Sequence, residues 1–146
     1  MNSVWIGVDL DGTLAEYHGW DNGKIGRPIP KMINRVKTWL SEGKNVKIMT
    51  ARVNPGGKVE DVQYHIKLIE DWCLEHIGHI LPVTCTKDYQ MYELWDDRAV
   101  QVVPNMGITL EDIIKEKDVV IDRLRQALLL EADKVSRYQF PDTTGS

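Results

Sequence analysis

Apolar and polar positions along the chain follow two rhythms. Short unbroken apolar runs alternate with longer stretches in which apolar residues return every three or four positions. Val4 to Val8 is an unbroken run that stops abruptly at Asp9, which suits a strand buried on both faces. Asn45 to Met49 is a second run, followed by the small residues Thr50 and Ala51. Ile80 to Thr86 reads as a third strand, and Tyr92 to Trp95 as a short fourth halted by Asp96 and Asp97. Pro30 can open a helix, Met32, Ile33, Val36, Trp39 and Leu40 recur at helical spacing, and Gly43 can end it. Val59 to His76 predicts a second amphipathic helix with Val62, Ile66, Ile69 and Cys73 on one face. Thr13 to Pro30 and Val53 to Lys58, rich in glycine and proline, read as loops. Strand, helix, strand, helix, strand in that order predicts an α/β fold with a mainly parallel sheet, helices on both faces and right-handed crossovers.

Thr109 to about Tyr138 has a different pattern. It predicts one long helix, with Thr109 as N-cap and Glu111 and Asp112 in its first turn. Leu110, Ile114, Ile121, Leu124, Leu128 and Val135 fit the a and d positions of a heptad, interrupted by Lys117 and Glu131. The chain therefore divides into a core at 1–108, a helix at 109–138 expected to join copies into a homo-oligomer, and a tail at 139–146. Phe140 to Ser146, with Pro141, is expected to fray. The same stripe could instead pack on its own domain.

Composition narrows this picture. The length of 146 residues suits one domain with its own core. A net charge of −4 argues against a general nucleic-acid surface, although not against a local basic pocket. Two cysteines, Cys73 and Cys85, are too few for a disulfide framework and lack metal spacing, so they read as buried free thiols in a reducing, cytoplasmic setting. No positively charged leader is visible at Met1 to Trp5, and no apolar run reaches the roughly 18–20 residues of a membrane span.

The chemistry gathers at the strand ends. In a parallel sheet the C-terminal ends share one edge, where ligands bind. Strand one delivers Asp9, Asp11 and Thr13 there; strand two Thr50 and Arg52; strand three Lys87; strand four Asp96 and Asp97. Clustered carboxylates without cysteine or paired histidine favour a hard cation such as Mg²⁺. A cation and a lysine can offset the repulsion between carboxylates and an anionic phosphate ester. A second carboxylic acid can protonate the leaving oxygen and then activate water.

Asp9-Leu10-Asp11-Gly12-Thr13-Leu14 resembles the first signature of the haloacid dehalogenase (HAD) superfamily, Asp-x-Asp-Gly-Thr after an apolar strand. Thr50-Ala51-Arg52 resembles the second motif, Lys87 the third, and Leu94-Trp95-Asp96-Asp97 the acidic fourth. The resemblance covers roughly Val4 to Val103, and four motifs in order make it specific. It implies a Rossmann-like HAD core and a Mg²⁺-dependent phosphohydrolase. Asp9 would be nucleophile and metal ligand, and Asp11 the general acid and base with its backbone carbonyl on the metal. Thr50 would hold a phosphate oxygen, Lys87 would pair with nucleophile and phosphate, and Asp96 and Asp97 would complete the metal site.

Neither gap between motifs has room for the cap domain that many such phosphatases carry. The loop Glu16 to Pro28, with Tyr17, His18, Trp20 and Arg27, is the natural flap over the site. Thr13, Arg52, His18, Trp20 and Arg27 are candidate substrate contacts, the aromatics by stacking on a base or sugar. Thr50-Ala51-Arg52, Trp72 and Asp96-Asp97-Arg98 are similar to the 3′-phosphatase domain of phage polynucleotide kinase and to small phage-encoded members. That likeness implies a nucleotide or nucleic-acid terminal phosphate as substrate. The alternatives are a sugar phosphate, or a catalytically weak protein that sequesters a phosphonucleotide as an oligomer. Arg98 reads as a brace for the acidic pair, and His65, His76 and His79 as surface or helix-end residues.

Overall fold

The computed structural model describes residues 4–139. The expected fraying of Phe140 to Ser146 lies outside the described residues. Two compact units emerge, Met1–Ala99 and Val100–Ser146.

In the first unit a four-stranded sheet contains β1 (Trp5–Val8), β2 (Asn45–Met49), β3 (Val83–Thr84) and β4 (Met91–Trp95), in the order β3-β2-β1-β4. Every pairing is parallel. β1 has a partner on each side, which explains its unbroken apolar run: all four of its residues are buried. A register shift between Trp5 and Ile6 sets β1 against β4, so that Val8 faces Trp95. The chain therefore leaves both strands at one level, and Asp9 N–H donates to the Trp95 carbonyl at 2.9 Å.

Strand three is much shorter than the run Ile80 to Thr86 predicts. Pro82 has no N–H to give, and only its carbonyl joins the sheet edge, accepting from Ile48 N–H at 2.8 Å. Beyond it the Thr84 hydroxyl accepts from Thr86 N–H at 3.1 Å and turns the chain away.

The helices flank this sheet. α1 (Pro30–Ser41) buries Ile33, Val36 and Trp39. It stops where Gly43 takes a positive φ of 77°, which lets Lys44 N–H reach Trp39 O at 2.9 Å and Gly43 N–H reach Leu40 O at 3.0 Å. α2 (Val59–His76) buries Ile69, Trp72 and Cys73, with Val62 and Ile66 packed at the margin of the same core. Among the described residues there is no separate cap domain. Cys73 is buried, and burial pushes its thiol up to about 11, whereas Cys85 is only half-buried. The expectation of two buried thiols therefore holds for Cys73 alone, because β3 ends at Thr84 and leaves Cys85 in the turn that follows.

The second unit carries α3 (Leu110–Gln139). Its start is a reciprocal cap: Thr109 Oγ accepts from Asp112 N–H at 3.1 Å, and Asp112 Oδ2 accepts from Thr109 N–H at 2.8 Å. Just before it, Val103 N–H donates to Ile108 O at 2.8 Å and Val102 bridges Thr109. These bonds close a turn just ahead of the helix, within the unit Val100–Ser146. Among the described residues, no helix is long and apolar enough to cross a membrane.

Candidate functional site

The turn that leaves β1 is built around one carbonyl. Leu10 O accepts from the N–H groups of Thr13, Leu14 and Ala15 at 3.3, 3.0 and 2.9 Å. Gly12 makes the turn with φ at 89°. A Cβ there would lie 2.5 Å from Asp97 Oδ2, so only glycine lets the acidic end of β4 come this close.

Asp9, Asp96 and Asp97 can each place a carboxylate oxygen within 4.8 Å of the others. Thr13 is buried and sets Asp97: its hydroxyl accepts from Asp97 N–H at 3.1 Å and lies 3.3 Å from Oδ1 as donor. Asp96 is steadied from within its own turn, with Oδ1 accepting from Arg98 and Ala99 N–H at 2.7 and 3.2 Å. Burial pushes the Asp9 carboxyl up to about 7; the Leu10 N–H opposes the rise, and the charges of Asp96 and Asp97 add to it. Three close carboxylates, one of them resisting ionisation, lack positive charge. An all-oxygen set of this kind fits a hard divalent cation such as Mg²⁺.

Beside the triad, Arg52 ties three pieces of chain together. Its Nε and Nη2 donate to Asp11 Oδ2 and Oδ1 at 2.6 and 2.8 Å. Nη1 donates to Gly23 O at 2.6 Å and Nη2 to Lys24 O at 3.3 Å, both in the flap. Trp20 covers the guanidinium, 5.0 Å from ring centroid to Cζ. Thr50 caps the short 3-10 turn Ala51–Val53, its hydroxyl accepting from Arg52 N–H at 3.2 Å, and this aims Arg52 back across the sheet edge.

Asp9, Asp11, Thr50, Arg52, Trp20 and Asp96 line a cavity of about 600 Å³. The flap is pinned at its base by Glu16 N–H to Arg27 O at 2.8 Å and by Ile29 N–H to Leu14 O at 2.8 Å. Gly26 lies against Glu16 O, where a side chain has no room. Trp72 Nε1 donates to Gly26 O at 3.1 Å and fastens the flap to α2.

Not every candidate from the sequence arrives here. Lys87 is exposed and does not line the cavity, since the early end of β3 carries it outward. Thr13 faces Asp97 rather than open space. His18 and Arg27 line a separate cavity of about 450 Å³ with Glu16 and Trp72, because the flap's antiparallel bridge at Ala15 and Pro28 turns them away from the acidic edge.

Three lining residues escaped the sequence reading of the site, Met49, His65 and Cys85, and Arg98, read as a brace for the acidic pair, also lines the cavity. His65 comes from α2 and meets the Trp20 ring edge-on at 5.6 Å. Nothing local marks it, because its neighbours in the cavity are distant in sequence.

No family model and no curated protein matches the chain. One solved structure is similar to it, described as that of a conserved protein from Bacteroides thetaiotaomicron. It is 25% identical, with 80% of this chain and 93% of that chain covered and a TM-score of 0.47.

Proposed function

We propose that this chain is a phosphohydrolase of the HAD type, dependent on Mg²⁺ and working through an aspartyl-phosphate at Asp9. The observation that carries the reading is the meeting of Asp9 with Asp96 and Asp97, some ninety positions apart in sequence, at the edge of a cavity that Asp9 and Asp96 line together with Asp11, Thr50 and Arg52. Asp9, Asp96 and Asp97 would hold the cation, which when bound supplies charge to offset the phosphate oxygens. Asp9 attacks phosphorus as its ester oxygen leaves, and Asp11 gives a proton to that oxygen. Asp11 then takes a proton from the water that releases phosphate, so Asp9 is regenerated. Thr50 lines the cavity where it can meet a phosphate oxygen. With Lys87 outside the lining, Arg98 is the second cation available on the cavity wall beside Arg52.

The substrate class we favour is a nucleotide or a nucleic-acid terminal phosphate, because Tyr17, Trp20 and His65 give the cavity an aromatic wall. The long helix serves as an oligomerisation element in this reading. The test is turnover of an aryl phosphate with Mg²⁺ by the wild type and by Asp9→Asn. Loss of turnover in a folded variant supports the mechanism; undiminished turnover rejects it. Nucleoside monophosphates, 3′-phosphorylated oligonucleotides and sugar phosphates compared side by side then rank the substrates.

A second reading, a binding protein that sequesters a phosphonucleotide, draws on one observation. Both Asp11 oxygens are engaged by Arg52, and Lys87 stands apart, an arrangement that suits holding an anion more than cleaving it. A nucleotide recovered intact after incubation with Mg²⁺ would favour it.

A further inference from the structure

Taken by itself, the second unit presents an apolar stripe along α3. Leu110, Ile114, Ile121, Leu124, Leu128 and Val135 are all exposed, from 43% at Ile121 to 70% at Leu128. They lie on one 30-residue helix, about 45 Å long at 1.5 Å per residue. A stripe of this extent marks an interface, and two features of α3 identify its occupant.

The first is the placement of charge within the stripe. With Ile114, Ile121, Leu128 and Val135 at a, the d positions are Leu110, Lys117, Leu124 and Glu131. A parallel, in-register partner of the same sequence would set Lys117 against Lys117 and Glu131 against Glu131 in the seam. Reversing the second helix removes both clashes. When Ile121 of one copy packs beside Leu124 of the other, Lys117 meets Leu128 and Glu131 meets Ile114. The long stems of both residues can then cover the apolar neighbour while their heads reach water. Glu131 is already held at its own helix surface by Lys134 at 2.9 Å.

The second feature flanks the stripe. In an antiparallel pair, e positions face e positions and g face g. The register that sets Ile121 beside Leu124 brings Asp118 against Arg125 of the second copy and, by the two-fold axis, Arg125 against Asp118. On the other flank Val120 meets Ala127. Among the described residues, the ion pair that Arg125 makes is a long, exposed one to Asp122 at 3.8 Å. In a parallel pair Asp118 and Arg125 would face Ile113 and Val120, and the charges would find no complement.

We infer that α3 pairs with α3 of a second copy as an antiparallel two-helix coiled coil centred between Ile121 and Leu124. Leu129 and Leu130 lie off this seam and take no part in it. The inference does not depend on the catalytic reading.

Sedimentation equilibrium on the full chain tests it, with circular dichroism confirming that each variant keeps its helix. The wild type is expected to be a dimer, and Leu124→Glu to weaken it by on the order of a hundredfold or more. Asp118→Arg alone or Arg125→Asp alone should each weaken it by on the order of tenfold, and the double reversal should restore it. A wild-type monomer at high micromolar concentration overturns the proposal. So does a trimer or tetramer, or a dimer indifferent to the reversals or not restored by the double change.

Discussion

Arg52 grips both oxygens of Asp11, Nε to Oδ2 at 2.6 Å and Nη2 to Oδ1 at 2.8 Å, while its remaining Nη donates to the backbone of the flap. The arginine side chain is 4% exposed and the aspartate 20%, so the pair is largely out of water. Removing one partner of such a pair leaves a buried charge unmatched, at about 3 kcal/mol. Arg52→Ala should lower unfolding stability by about that amount in urea titration. Arg52→Lys should recover only part, since an ammonium cannot present the planar fork. Equal stability of all three proteins would show that the grip contributes nothing.

The raised Asp9 carboxyl makes stability depend on pH, and would make cation binding depend on it too. Asp9 in the fold holds its proton up to about 7, whereas in the unfolded chain it releases it near 3.8. Between these values the unfolded state binds fewer protons, so the Asp9 contribution to stability falls as pH rises from about 4 to 7. A divalent cation held by the ionised cluster would act in the opposite direction. The rise in Tm on adding Mg²⁺ should therefore be greater at pH 7.5 than at pH 5.5. Thermal melts in chelator and in Mg²⁺ at both values check this, and a shift independent of pH would remove Asp9 from the cation site.

Gly12 and Thr13 hold the same carboxylate from two sides. Gly12→Ala places a methyl group 2.5 Å from Asp97 Oδ2 and forces φ at 89° on a residue with a Cβ. Thr13→Val removes the hydroxyl that both donates to and accepts from Asp97, at a cost of about 1–3 kcal/mol. Both should reduce Mg²⁺ affinity in isothermal titration, while Thr13→Ser keeps it. Cation affinity unchanged in Thr13→Val would mean that Asp97 is not a ligand.

Trp20 is 60% exposed, yet it covers Arg52 and forms part of the cavity wall. If a base stacks there, Trp20→Ala should raise KM for a nucleoside monophosphate about tenfold, on the scale of ~1–3 kcal/mol per stacked base. KM for a small phosphate without a ring should change little. An equal effect on both substrates would assign Trp20 to the flap's packing instead.

The sequence by itself determined the parallel α/β plan, because hydrophobic periodicity and helix-end chemistry are local. Val59–His76 and Asn45–Met49 stand where their patterns place them, and Gly43 ends α1 for the reason its position implied. It also determined which strand ends carry carboxylates, since a strand's exit is marked where its apolar run breaks. What only the tertiary structure decided was which side chains turn toward the shared edge. The shortened β3 took Lys87 out of the cavity, the flap's bridge turned His18 and Arg27 into another, and α2 brought in His65. Those outcomes depend on contacts between residues far apart in the chain, and no local spacing records them. Arg52 shows the division most plainly: its place after β2 was legible, but its grip on Asp11, forty-one positions away, arises only when the strands lie side by side.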